Sequence, residues 1–132
     1  MIHFKTYIGK IGWEIECYVT TDDSMLEEIL FKLENLGCSR KTVQRAHTIL
    51  SKQYDSGFAF SNLEKRKSLM IINKSTSMEE FVNTYNHEKN HIEMHICEEL
   101  GIDPYDEVAA DLSGCLAQRL FNTMLVSMKE YY

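Results

Sequence analysis

The sequence contains little proline and no long run of apolar residues. A single proline and six glycines among 132 residues argue against a long flexible linker or a disordered domain. No apolar stretch is long enough to span a bilayer, and the first ten residues lack the apolar core of a secretory signal. We therefore expect one domain over residues 1–132, located in the cytoplasm and without a membrane partner.

Basic residues and closely spaced cysteines are also scarce. The chain has 14 Lys and Arg residues against 20 Asp and Glu residues, which gives a formal net charge of −6. This balance disfavours a nucleic-acid partner, because affinity for phosphates depends largely on Lys and Arg. No CxxC pair is present, so we expect free thiols in a reducing compartment. The four cysteines are Cys17, Cys38, Cys97 and Cys115.

The spacing of apolar residues predicts both strands and helices. Two β-branched and aromatic runs on either side of residues 9–12 predict a β-hairpin, and two further apolar runs follow in the middle of the chain. Helical spacing, with capping residues at the helix ends, predicts four helices. The predicted strands are 2–8, 13–20, 57–61 and 68–73, and the predicted helices are 24–37, 39–53, 77–101 and 103–129. The expected fold class is α+β, with a small, mostly antiparallel sheet.

The third predicted helix contains the sequence HEKNH at residues 87–91. Histidines four residues apart lie on one helical face, about 6 Å from each other, where their nitrogens can reach one metal ion. Glu88 lies about 100° around the helix from His87, so its carboxylate can hold a metal-bound water and take its proton. The motif therefore predicts zinc bound by His87 and His91, with Glu88 as the general base.

The wider pattern resembles the gluzincin metallopeptidases, the group that includes thermolysin. The resemblance rests on HEKNH and on the sequence EVAAD at residues 107–111, one helix later. It implies that Glu107 is the third zinc ligand and that Asp111 steadies His87. It also implies a zincin-like fold in which the strand at 68–73 is the edge along which an extended substrate lies. The implied function is zinc-dependent hydrolysis of a peptide bond in a peptide or protein substrate.

Other interpretations of the same residues stay open at this point. A straight hairpin of the last two helices would place Asp111, rather than Glu107, nearer to His91. His95 continues the spacing of the two histidines and could pair with His91 in an alternative metal site. The rival function is a catalytically inactive zincin-fold protein that binds metal and acts as a protein-interaction module.

Overall fold

Four strands and four α-helices form in the computed structural model, which describes residues 1–132. The strands are β1 (Ile2–Ile8), β2 (Trp13–Thr21), β3 (Gly57–Asn62) and β4 (Lys67–Asn73). The helices are α1 (Leu26–Asn35), α2 (Arg40–Leu50), α3 (Met78–Leu100) and α4 (Glu107–Tyr131). The predicted α+β class is confirmed. None of the helices has both the length and the apolar character needed to cross a membrane.

The strands form one mixed sheet in the order β1-β2-β4-β3. The two outer pairings are antiparallel, whereas the central pair, β2 with β4, is parallel. The predicted edge position of the fourth strand is wrong, because β4 lies between β2 and β3. Residues Leu69–Ile72 are buried in an unbroken run, which is typical of an interior strand covered on both faces. The edge beside the HEKNH helix is therefore β3.

The two faces of the sheet carry separate apolar cores. One core joins alternate residues of β2 and β4 to α3 and α4, and the other joins the intervening residues to α1 and α2. Ile15, Met70, Ile92 and Leu116 belong to the first core, and Tyr18, Leu33, Leu69 and Ile71 belong to the second. Both α2 and α3 reach the edge strand β3, from opposite faces. The open edge of the sheet consequently lies in a recess between these two helices.

Local capping explains where α3 begins and ends. The Ser77 hydroxyl accepts a hydrogen bond of 3.1 Å from the N–H of Glu80, which satisfies one of the free donors of the first turn. Gly101 ends the helix in the left-handed conformation, with φ of 66°, a backbone state that glycine adopts without steric cost. The helix between these residues is long enough to carry the whole HEKNH motif on rigid backbone.

The last helix begins later than the sequence predicts. Asp103 and Pro104 lie in a turn, where the Asp103 carboxylate accepts a hydrogen bond of 2.9 Å from the N–H of Tyr105. The cap of α4 is Asp106, whose carboxylate accepts a hydrogen bond of 2.7 Å from the N–H of Glu107. The predicted start at residue 103 is wrong because the Asp-Pro pair caps a turn that does not continue into the helix.

Candidate metal centre

Three side chains of α3 bring possible ligand atoms together. Those of His87, Glu88 and His91 all lie within 4.8 Å of one another. The Nε2 atoms of His87 and His91 are 3.2 Å apart, and Glu88 Oε1 lies 3.7 Å from His87 Nε2. A tetrahedral ion with metal–nitrogen bonds of 2.0–2.1 Å separates two such nitrogens by about 3.3 Å. The group could therefore hold a metal ion, and imidazole ligands favour a transition metal.

The Glu88 carboxyl group is buried against the edge strand. The residue is only 4% exposed, and its Oε2 atom has no hydrogen-bond partner in the protein. Burial raises the pKa of Glu88 from 4.5 to about 7. Sealing a polar oxygen away from water without a partner costs about 1–3 kcal/mol, and more for a charged group. This cost makes Glu88 unusual among the acidic residues of the chain and points to a role beyond packing.

The absence of a side chain at Gly57 makes room for Glu88. A Cβ atom at this position of β3 would lie 2.9 Å from Glu88 Cγ and 2.9 Å from Thr84 Cγ2, closer than van der Waals contact allows. The backbone of β3 and the helix α3 can therefore approach each other at the level of the motif. Nothing in the local sequence around Gly57 indicates this contact, because it depends on how the helix packs on the sheet.

The environment of His91 favours its neutral form. Burial lowers its pKa, and the charges of His87 and Arg45 lower it further. A neutral imidazole has a free nitrogen lone pair, which is the form that binds a metal ion. The ring of His91 meets that of His87 edge-on, with the ring centroids 4.8 Å apart and the planes at 79°. This arrangement turns both Nε2 atoms toward the same point.

A chain of buried hydrogen bonds holds His95. Its Nδ1 atom lies 2.7 Å from the Ser61 hydroxyl, which lies 2.7 Å from the Ser68 hydroxyl, and the Trp13 indole N–H donates to Ser68 over 2.8 Å. Because an indole can only donate, every hydrogen finds an acceptor if Ser68 donates to Ser61 and Ser61 donates to His95. The reverse direction would leave the buried Ser68 hydrogen without an acceptor. The hydrogen-bond chain therefore makes Nδ1 the acceptor, and Nε2 carries the proton.

This tautomer and the ring positions separate His95 from the metal group, by which we mean His87, Glu88 and His91. The rings of His91 and His95 are stacked at 23°, with centroids 6.3 Å apart, so they do not converge as His87 and His91 do. His95 is also absent from the set of converging ligand atoms. The ring nevertheless lines the same cavity. In this structure His95 accepts a hydrogen bond from Ser61 and lies at the wall of the site.

The metal group opens into a cavity of about 620 Å³ between α2, β3 and α3. Its wall includes the charged side chains of Arg45, Lys52 and Asp55. No motif in the sequence marks these residues, because α2 is brought to the histidines only by the packing of the sheet. The motif alone suggests a cavity lined by histidine and carboxylate. Arg45 and Lys52 add positive charge to that lining.

The edge strand presents unpaired peptide groups to this cavity. The N–H of Asn73 donates to the carbonyl of Ser56, and bonding alternates along the antiparallel β3–β4 pair. The peptide groups of Gly57, Ala59 and Ser61 consequently face away from β4, toward the open edge. Gly57 and Ala59 also line the cavity. An extended chain could therefore pair with β3 beside the histidines.

Glu107 and Asp111 lie apart from the two histidines. Both are exposed on α4, neither lines the cavity, and neither belongs to the group of converging ligand atoms. The contact between α3 and α4 runs through Ser113, which donates a hydrogen bond of 3.0 Å to Glu93. Glu93 lies roughly 240° around the helix from His87, so α4 packs on a different face of α3. The assignment of Glu107 as third ligand stays a prediction, without support from this packing.

Comparison with protein-family models, with curated proteins and with solved structures found no match. The chemistry of the site is accordingly inferred from its own residues.

Proposed function

We propose that the chain is a metal-dependent hydrolase that binds zinc through His87 and His91 and cleaves peptide bonds. The observation that carries the proposal is Glu88, a buried carboxyl group whose Oε1 lies 3.7 Å from Nε2 of His87 and whose Oε2 has no partner. An orphaned buried carboxyl lowers stability unless a bound group satisfies it. A metal ion with its water provides such a group, and perturbed carboxyls in cavities are typical of catalytic sites.

Glu88 would act as the proton carrier of the reaction. A zinc ion at the histidines would polarise the substrate carbonyl and lower the pKa of a bound water. Glu88 takes a proton from the attacking water as its oxygen bonds to the carbonyl carbon. The same carboxyl gives that proton to the leaving nitrogen as the C–N bond breaks, which yields a carboxylic acid and an amine.

The edge strand supports a peptide as the substrate. Unpaired peptide groups of Gly57, Ala59 and Ser61 offer main-chain hydrogen bonds to an extended segment, which would add as a strand. Such pairing positions a scissile bond without requiring a particular side chain. A small ester or amide has no backbone to use these groups, so the geometry favours a polypeptide.

A second function is favoured by the small number of protein ligands. Only two imidazoles and one carboxyl converge, and α4 contributes no third residue. A protein that binds metal and captures a peptide on β3, without cleaving it, would need no more than this. The test of Glu88 described below separates the two functions.

Metal binding is tested by removing bound metal from the purified protein with a chelator and then titrating the protein with zinc. We expect one zinc per chain for the wild type and a loss of most of the affinity in His91→Ala. His47→Ala is the matched control, since His47 is an exposed histidine of α2 that does not line the cavity. Equal zinc affinity in the wild type and His91→Ala would overturn the proposed site.

Catalysis is tested by Glu88→Gln, which keeps the size of the side chain and removes the base. We expect the variant still to bind one zinc per chain, while cleavage of a peptide library, followed by mass spectrometry, falls about 10²–10⁴-fold. Equal cleavage by the two proteins would exclude Glu88 as the base. Zinc and peptide binding by both proteins, with cleavage by neither, would favour the interaction module.

A further inference from the structure

The cavity beside the histidines contains two basic side chains without acidic partners. Arg45 and Lys52 both line it, and neither takes part in a salt bridge. The nearby Asp55 is paired with neither of them, and its two carboxylate oxygens accept hydrogen bonds of 2.8 Å from the N–H and the hydroxyl of Thr76. The chain as a whole has more acidic than basic residues. Both positive charges of the cavity wall are thus available to a ligand.

Arg45 is an exposed residue of α2 whose guanidinium lies over an aromatic ring and makes no hydrogen bond within the protein. The guanidinium carbon lies 5.8 Å from the centre of the Phe58 ring, and Phe58 is a buried residue of β3. A cation–π contact of this kind attracts the guanidinium to the ring without using its N–H groups, which stay free to donate hydrogen bonds. Arg45 lines the same cavity as His87 and His91, which places this charge near the proposed metal.

We propose that Arg45 forms a carboxylate-binding subsite, so that the preferred peptide carries a carboxylate close to the bond that is cleaved. The inference rests on the proposed function and names its substrate class. Arginine keeps its charge at all relevant pH values, and its fork of N–H donors matches the two oxygens of a carboxylate. Lys52 adds a second positive charge to the same wall. In peptides, an acidic side chain or the C-terminal group supplies such a carboxylate.

The test uses a matched pair of hydroxamates on zinc-loaded protein. A hydroxamate binds the zinc and delivers its tail into the cavity, and the two tails differ only in ending with a carboxylate (succinic monohydroxamate) or with the corresponding carboxamide. Dissociation constants are measured by isothermal titration calorimetry for the wild type and for Arg45→Gln. Arg40→Gln is the control, because Arg40 lies on the same helix outside the cavity and the net charge changes equally.

We expect the wild type and Arg40→Gln to bind the carboxylate about tenfold more tightly than the carboxamide, as a charge-assisted pair implies. The preference should disappear in Arg45→Gln. Equal binding of both compounds by the wild type, or an undiminished preference in Arg45→Gln, would overturn the subsite and leave the metal site standing. Failure of both compounds to bind protein that holds zinc would overturn the accessible metal site itself, and the subsite with it.

A second pair of hydroxamates identifies the source of the carboxylate. One carries an aspartate side chain on a chain ending in a carboxamide, and the other carries alanine with a free C-terminal carboxylate. Tighter binding of the first assigns the subsite to acidic side chains, and tighter binding of the second assigns it to chain ends. If the observed preference is lost in Arg45→Gln, the subsite is supported. If the preference is retained in that variant, the subsite is contradicted.

Discussion

At the scale of single residues, burial of Glu88 makes the stability of the metal-free protein depend on pH. The folded protein keeps a proton on this carboxyl up to about pH 7, whereas the unfolded chain releases it near 4.5. The folded state therefore binds more protons between these values, and its stability falls as the pH rises through them. Above pH 7 the full cost of the buried charge is present.

We therefore expect Glu88→Gln to be more stable than the wild type by about 2–3 kcal/mol at pH 8 and equally stable at pH 4. Urea denaturation in the presence of a chelator measures the difference. Glu99→Gln, at an exposed position of the same helix, should show no such change with pH. A stability gain that is the same at both pH values would contradict the buried-charge explanation.

The hydrogen-bond chain from Trp13 to His95 determines which nitrogen of His95 carries a proton. We expect long-range ¹H–¹⁵N correlation spectra of zinc-free protein at pH 8 to show His95 protonated at Nε2. Ser61→Ala removes the donor to Nδ1, so the ring should become a mixture of tautomers. Protonation at Nδ1 in the wild type would mean that the chain runs in the opposite direction and that Nε2 is free to bind metal.

At the scale of the elements, contact between α3 and β3 depends on the missing side chain at Gly57. The methyl group in Gly57→Ala would lie 2.9 Å from the Ile71 carbonyl oxygen, which belongs to the neighbouring strand and cannot easily move. We expect α3 to shift outward, with a stability loss of about 1–3 kcal/mol and weaker zinc binding.

Gly114→Ala provides the comparison. A Cβ atom there meets nothing within 4 Å, and the residue lies within α4, so this change should stabilise the protein by up to about 1 kcal/mol without altering zinc affinity. Thermal denaturation measures the change in stability of both variants, and zinc titration measures the change in their zinc affinity. Unchanged zinc affinity in Gly57→Ala would show that the metal group tolerates displacement of the helix.

Packing of α4 on the far side of α3 leads to a prediction about the third ligand. Because Glu107 and Asp111 are exposed and outside the cavity, we expect Glu107→Ala and Asp111→Ala to keep the zinc affinity of the wild type within about threefold. Zinc titration against a competing chelator measures it. A large loss in Glu107→Ala alone would instead support the gluzincin ligand set, and would require α4 to pack differently in the zinc-bound protein.

At the scale of the whole molecule, local signals predicted the elements and the motif but not their assembly. Ser39, Ser77 and Gly101 act within one turn of their helix ends, which explains why helix positions followed from the sequence. Four-residue spacing on one helix likewise predicted that His87 and His91 would meet. These features depend on neighbours in the chain.

Other parts of the site depend on residues that are distant in the chain. Arg45 and Ser61 reach the histidines because α2 and β3 flank the open edge of the sheet, and no spacing within either segment indicates this. The apolar run of β4 is typical of any interior strand, whether parallel or antiparallel. The sequence of β4 therefore could not predict that this strand pairs in parallel with β2. The position of α4 depends on side-chain packing over a whole helix face, which the sequence EVAAD does not determine.

Parallel pairing at the centre of the sheet also has a consequence for the order of folding. Glu14 pairs with Lys67, so the central pairing joins residues that are about fifty positions apart in the chain. Such non-local pairing is slow to form, and the buried position of Glu88 against Gly57 of β3 requires the sheet to be present. The metal site should therefore assemble after the sheet. Zinc should leave the refolding rate unchanged and slow only unfolding, as stopped-flow experiments can establish.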